Sequence, residues 1–135
     1  TEMPTKTQLT FQELMTEAAK QLLPASVLKE LPALYSQENN SDPQAVLKFF
    51  TPWASWTWYA TEGSYVNENG CYDDENGNLV TVDSAHDFMF FGLVDGFEKE
   101  QGYFSLRELM ESQGPAGWQI ERDIHWKPKP LSELE

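Results

Sequence analysis

From Phe11 onward, apolar side chains recur at steps of three and four: Phe11, Leu14, Met15, Ala18, Ala19 and Leu22 share one stripe. That period predicts an amphipathic helix. Thr10 and Glu13 stand at capping-box spacing before it, and Pro24 prevents it from continuing. A shorter helical segment is expected at Ser26–Leu31, with Leu28 and Leu31 on one side, before Pro32 bends the chain toward Leu34 and Tyr35. Residues 1–8 show no period and read as a flexible tail, leaving 9–135 as one domain.

The period then changes to two. After the turn-forming run Asn39–Pro43, Ala45–Phe50 and the alternation Trp56, Trp58, Ala60 against Thr57, Tyr59, Thr61 predict two antiparallel strands joined at Pro52–Ser55. Residues 63–87 read as a polar excursion carrying one β-hairpin. Asn-Gly at 69–70 and 76–77 supplies the turns, and Leu79, Val80 and Val82 are set to pair with Tyr65, Val66 or Tyr72. Phe88–Val94 is apolar on both alternating faces, as in a strand buried on both sides, and Gly92 suggests close approach of another backbone or a bulky ring. Asp95-Gly96 marks a bulge or turn, and Glu98–Gly102 is expected to join that strand to Tyr103–Phe104. Ser105 and Glu108 open a helix near 105–113 that Gly114-Pro115 stops. Trp118, Ile120, Arg122, Ile124 and Trp126 alternate with polar residues as a last strand, followed by an extended Lys127–Pro130 exit. Together these elements predict an α+β domain with a mostly antiparallel sheet of about five strands.

Composition narrows the function classes. Nine Lys and Arg against 22 Asp and Glu give a formal charge of −13, which opposes direct binding of a phosphate backbone. One cysteine excludes an intramolecular disulfide, and no apolar run approaches a membrane span or signal peptide. A cytoplasmic protein is expected. Ten of the acids fall between Glu62 and Glu100, with Lys99 the one base there. This run is either a solvated exterior or a surface for a basic protein, with carboxylates standing in for phosphates; Glu62, Glu68, Asp73, Asp74, Glu75, Asp95, Glu98 and Glu100 are its candidate contacts.

Other chemistry is weaker. Asn67, Asn69, Asp73, Asp74, Glu75 and Asn76 offer oxygen ligands, yet a calcium loop would begin on Tyr65 or Tyr72. Asp83, His86 and Asp87 converge only if that segment is helical, and two histidines with one cysteine cannot close a usual zinc site. Neither metal nor cofactor is expected. Cys71, beside acids that disfavour its thiolate, reads as a small packing residue. No nucleophile elbow, phosphate loop or dinucleotide fingerprint occurs. The aromatics between Phe49 and Tyr59 read mainly as core and rim. Arg122 falls in the apolar phase of its strand, where an unpaired guanidinium is costly. It either pairs with Glu62, Asp95 or Glu98, or lines a cleft that meets an anion, the alternative being an enzyme or small-ligand site built around Arg122 with Glu62, Tyr103, Trp56 and Trp58.

Three blocks, KFFTPWASWTWYATE, FFGLVDGFEKEQGYFSLREL and ERDIHWKPKPLSEL, resemble an uncharacterised bacterial family, a domain of unknown function carried on plasmids, integrative conjugative elements and phages. The resemblance spans about Ser26 to Leu134, with a longer 63–87 segment than the family usually has. It implies a mobile-element setting, in which small acidic proteins often blunt host defences, and this favours reading the carboxylates as stand-ins for phosphates. Some relatives carry a single-stranded DNA endonuclease label, so a metal-dependent nuclease stands as an alternative. The leading expectation is a non-enzymatic protein that binds a basic, nucleic-acid-handling partner.

Overall fold

The computed structural model describes residues 9–135; the expected tail at 1–8 lies outside the described residues. The first apolar stripe folds as two short helices, α1 (Phe11–Leu14) and α2 (Glu17–Leu22), where one was expected. Thr16 is the reason. Its hydroxyl accepts from the Ala19 amide and caps a new helix start. The period survives because Phe11, Leu14, Ala19 and Leu22 all reach the same core. The Thr10–Glu13 capping box forms in both directions, and a further turn of helix, α3 (Ala25–Leu28), follows Pro24.

Seven strands follow in an α+β arrangement: β1 (Gln44–Ala45), β2 (Leu47–Phe50), β3 (Thr57–Val66), β4 (Asp87–Asp95), β5 (Lys99–Ser105), β6 (Glu121–Arg122) and β7 (Lys129–Pro130). Five form an antiparallel sheet in the order β5-β4-β3-β2-β6, and β1 pairs with β7 beside it. One helix, α4 (Leu106–Glu111), leaves β5 with Ser105 as its cap. One face of the sheet meets the helices through Phe49, Phe88, Phe90, Phe104, Leu106 and Leu109. On the opposite face Leu93 packs with Ala45 and Leu131, bordered by Tyr59 and Trp126. β4 is therefore covered on both sides, as its unbroken apolar run requires. A Cβ on Gly92 would overlap the Tyr59 carbonyl oxygen, so this position has room only for glycine.

Three expectations are corrected. Glu98–Gly102 is not a connection: Lys99 onward pairs with β4 as an edge strand, where polar side chains stay in water while the backbone bonds. The strand expected over Trp118–Trp126 is only two residues long. Asp123 turns the chain, accepting the His125 amide at 3.0 Å on its side chain and the Trp126 amide at 3.2 Å on its carbonyl. Ile124 is consequently 70% exposed. The excursion is shorter than expected, because β3 runs to Val66 and β4 begins at Asp87. Within it Val80 donates to the Tyr72 carbonyl, Asp73 bridges Leu79, and Gly70 and Gly77 take the positive φ their turns require.

Candidate functional site

Between Ala60 and Glu62 the β3–β4 register slips by one residue, a bulge at Thr61. The slip places Glu62 opposite Phe91, on the sheet face away from the helices, and Phe91 in turn lies opposite Tyr103. Glu62 is 4% exposed. Its carboxylate accepts the amides of Tyr35 at 3.0 Å and Gln37 at 2.7 Å, while Ser64 accepts the Leu34 amide at 3.0 Å. These bonds strap the 34–37 loop to β3 and hold Tyr35 at φ 68, a backbone state uncommon for a tyrosine.

The strap stands Tyr35 in a row of rings. Its centroid lies 5.8 Å from Tyr72 of the excursion and 6.4 Å from Tyr103, whose ring is 4.9 Å from Phe91. Tyr35, Tyr72 and Tyr103 are 42%, 37% and 53% exposed. Along this row opens a cleft of about 600 Å³, floored by Thr61, Glu62 and Phe91 and walled by Glu38, Asn40, Asp42, Gln101, Ser132 and Glu135. None of its lining residues is Lys or Arg. Asp42 accepts both the amide and hydroxyl of Ser132, and these bonds hold its carboxyl below the usual range. The Tyr103 hydroxyl is pushed up, first by its hydrogen bond with Tyr35, then by burial and the negative charge of Glu62 and Glu38. The site therefore combines exposed π-faces with negative potential, the pairing that attracts cations.

The remaining candidates sit elsewhere. Glu68, Asp74 and Glu75 are exposed on the excursion with half-buried Asp73 beside them. Asp74 is already engaged, accepting the Asn76 and Asn78 amides at 2.9 Å each. Asp95, Glu98 and Glu100 surround the β4–β5 turn at the other end of the sheet. β4 spans nine residues, about 27 Å at the usual strand rise, and charges that far apart are screened from each other. The one acidic surface expected over Glu62–Glu100 is thus divided into a buried strap, an excursion group and a hairpin group. Trp56 packs on Trp58 and Phe97, also at the hairpin end.

Arg122 neither pairs with Glu62, Asp95 or Glu98 nor shares a pocket with them. Its Nε donates to the Gln21 carbonyl at 2.9 Å, and it lines a second cleft between α2 and β6. Glu62 and Tyr103 meet in the first cleft; Arg122 lines the second, and Trp56 and Trp58 line neither. Cys71 is exposed on the excursion, not packed, because the Asn67 side chain draws its amide into an outward turn. Asp87 is turned inward instead of converging with Asp83 and His86. It accepts the Phe88 and Arg107 amides at 2.8 and 3.2 Å, while Arg107 donates to the His86 carbonyl. Burial raises the Asp87 carboxyl above its ordinary range. Among the described residues no three His, Cys, Asp or Glu side chains come together as a metal site.

Sequence reasoning missed Tyr35, Tyr72, Glu38 and Asp42 as site residues. No periodic signal joins them, and the positive φ at Tyr35 is visible only in three dimensions.

Fold and site together define an α+β protein with a tyrosine-lined acidic cleft on one sheet face and a separate arginine-bearing cleft. Residues 76–134 match the family described as Protein of unknown function (DUF2958). That segment contains Tyr103 and Arg122, whereas Tyr35, Asp42 and Glu62 precede it. No curated protein and no solved structure matches the chain. Among the described residues no helix is long and apolar enough to cross a membrane.

Proposed function

We propose that this chain is a non-enzymatic binding protein that captures a basic, nucleic-acid-handling partner protein, and that the tyrosine-lined cleft receives the partner's Arg or Lys side chains. The observation that carries the reading is the row Tyr72, Tyr35, Tyr103 and Phe91 flanked by Glu38, Asp42 and Glu62, with no cation in the lining. Each guanidinium laid on a tyrosine contributes about 0.5–2 kcal/mol, and a neighbouring carboxylate adds a directional bond. Rings alone would also suit nucleic-acid bases, but carboxylates on the same walls repel the phosphates that come with them. The formal charge of −13 lends long-range attraction for a basic surface. In this reading the protein works in the cytoplasm, in the setting of a mobile element, where occupying the basic surface of a nucleic-acid-handling protein blunts it.

A fluorescent arginine-rich peptide tests the chemistry, with a glutamate-rich peptide as control. Binding of the basic peptide is expected to weaken steeply as salt rises. Tyr103→Ala and Asp42→Asn should each weaken it by about three- to tenfold. A double Asp73→Asn, Glu75→Gln change, farther from the cleft, should mainly slow association. Equal binding by wild type and Tyr103→Ala would sink the cleft as the site. Cleavage of single-stranded DNA by the purified protein with magnesium or manganese would sink the non-enzymatic reading in favour of the nuclease alternative.

A further inference from the structure

The second cleft, about 720 Å³, has the opposite character. Leu22 and Ile120 form its buried floor, while Trp118 and Ile124 stand at its sides 53% and 70% exposed. Two large apolar side chains left in water around one hollow, in a chain this acidic, are not accounted for by the core. Its one cation is Arg122, half-buried, with Nε tied to the Gln21 carbonyl at 2.9 Å. That bond fixes the plane of the guanidinium. Its terminal N–H groups have no partner among the described residues, although Glu121 also borders the cleft and makes no ion pair with it.

We infer that this cleft binds a small amphipathic carboxylate, its apolar body between Trp118 and Ile124 and its carboxylate on Arg122. The volume lies within the roughly 300–1,000 Å³ typical of small-molecule sites. A planar carboxylate matches the fork of a guanidinium whose orientation is already set. The β6 turn produces this arrangement: Asp123 ends the strand, so Ile124 swings to the rim and does not continue the sheet face.

Decanoate, decanol and acetate separate the parts, with calorimetry for affinity and the Trp118 indole and Ile124 methyl NMR signals for location. Decanoate is expected to bind at least about tenfold more tightly than decanol, and acetate more weakly than either. Arg122→Gln should remove that tenfold preference, and Arg122→Lys should restore part of it. Ile124→Ser, at an exposed position that does not endanger folding, should weaken decanoate and decanol alike. Protection of the Asp123 amide, which donates to the Lys48 carbonyl, reports whether β6 is intact in each variant. The inference is overturned if decanoate does not bind, if decanol binds equally well, if Arg122→Gln with β6 intact keeps the preference, or if the shifts fall outside this cleft.

Discussion

Replacing Glu62 tests how the tyrosine cleft is built. The carboxylate is 4% exposed and is the acceptor for two amides, Tyr35 at 3.0 Å and Gln37 at 2.7 Å. Hydrogen bonds to a charged group contribute about 1.5–3 kcal/mol each. The loop is at the surface, so freed amides can turn to water and the lower figure applies. Two such bonds put the cost of Glu62→Ala at about 3 kcal/mol, or a fall in melting temperature of about 10 °C for a chain of this size. Glu62→Gln retains one acceptor oxygen but sets an NH2 group against an amide, and should lose about half as much. Urea denaturation gives the global cost, and amide hydrogen exchange gives its location. Exchange at Tyr35 and Gln37 should accelerate in both variants, while Phe90, in the centre of β4, should follow only the global loss. Because Tyr35 depends on the strap for its backbone state, its contact with Tyr103 should loosen too, and binding of the arginine-rich peptide should fall with it. Unchanged exchange at Tyr35 and Gln37, with less than about 1 kcal/mol lost, would refute the strap.

Gly92 and Gly102 are register partners in β4 and β5, yet they should respond in opposite ways to alanine. A Cβ at Gly92 overlaps the Tyr59 carbonyl and should cost about 3 kcal/mol or more; one at Gly102 meets nothing within 4 Å and should be neutral or stabilising by about 0.5 kcal/mol. Similar melting temperatures for the two variants would contradict this. Stability should also depend on pH through Asp87 and Glu108, whose carboxyls are both raised chiefly by burial. A raised carboxyl contributes stability that is fully present below its unfolded pKa and is lost as pH rises through the folded one, so these two groups make stability fall as pH climbs from the ordinary carboxylate range toward neutrality. Glu13, Asp42 and Asp74 are lowered by hydrogen bonds and act in the opposite sense, losing stability in stronger acid. Asp87→Asn should flatten that fall, and a melting temperature that rises as pH climbs from the ordinary carboxylate range to neutrality would count against the assignment.

Much of the fold is written in local patterns. The Thr10 and Ser105 caps, the positive-φ glycines at 70 and 77, the two-faced burial of β4 and the tight fit at Gly92 each follow from residue chemistry over a few positions. Local pattern misleads where a single polar side chain competes with the backbone. Thr16 breaks one helix into two, and Asp123 shortens a strand whose alternation runs through nine residues. Backbone pairing likewise takes in Lys99–Gly102, whose side chains carry no strand signal.

The binding surfaces belong to the tertiary level. Sequence by itself determined the excess of carboxylates, the supply of rings and the apolar phase of Arg122, since these depend on residue identity and short-range period. Only the folded chain decided which of them meet. One bulge at Thr61 selects the face on which Glu62 emerges, and the strap it forms brings Tyr35 to Tyr103 and Tyr72 across long separations in sequence. The same geometry sends Asp95, Glu98 and Glu100 to the far end of β4 and Arg122 to another cleft. Register and loop closure are settled by the packing of the whole core, and no local window of residues contains that information.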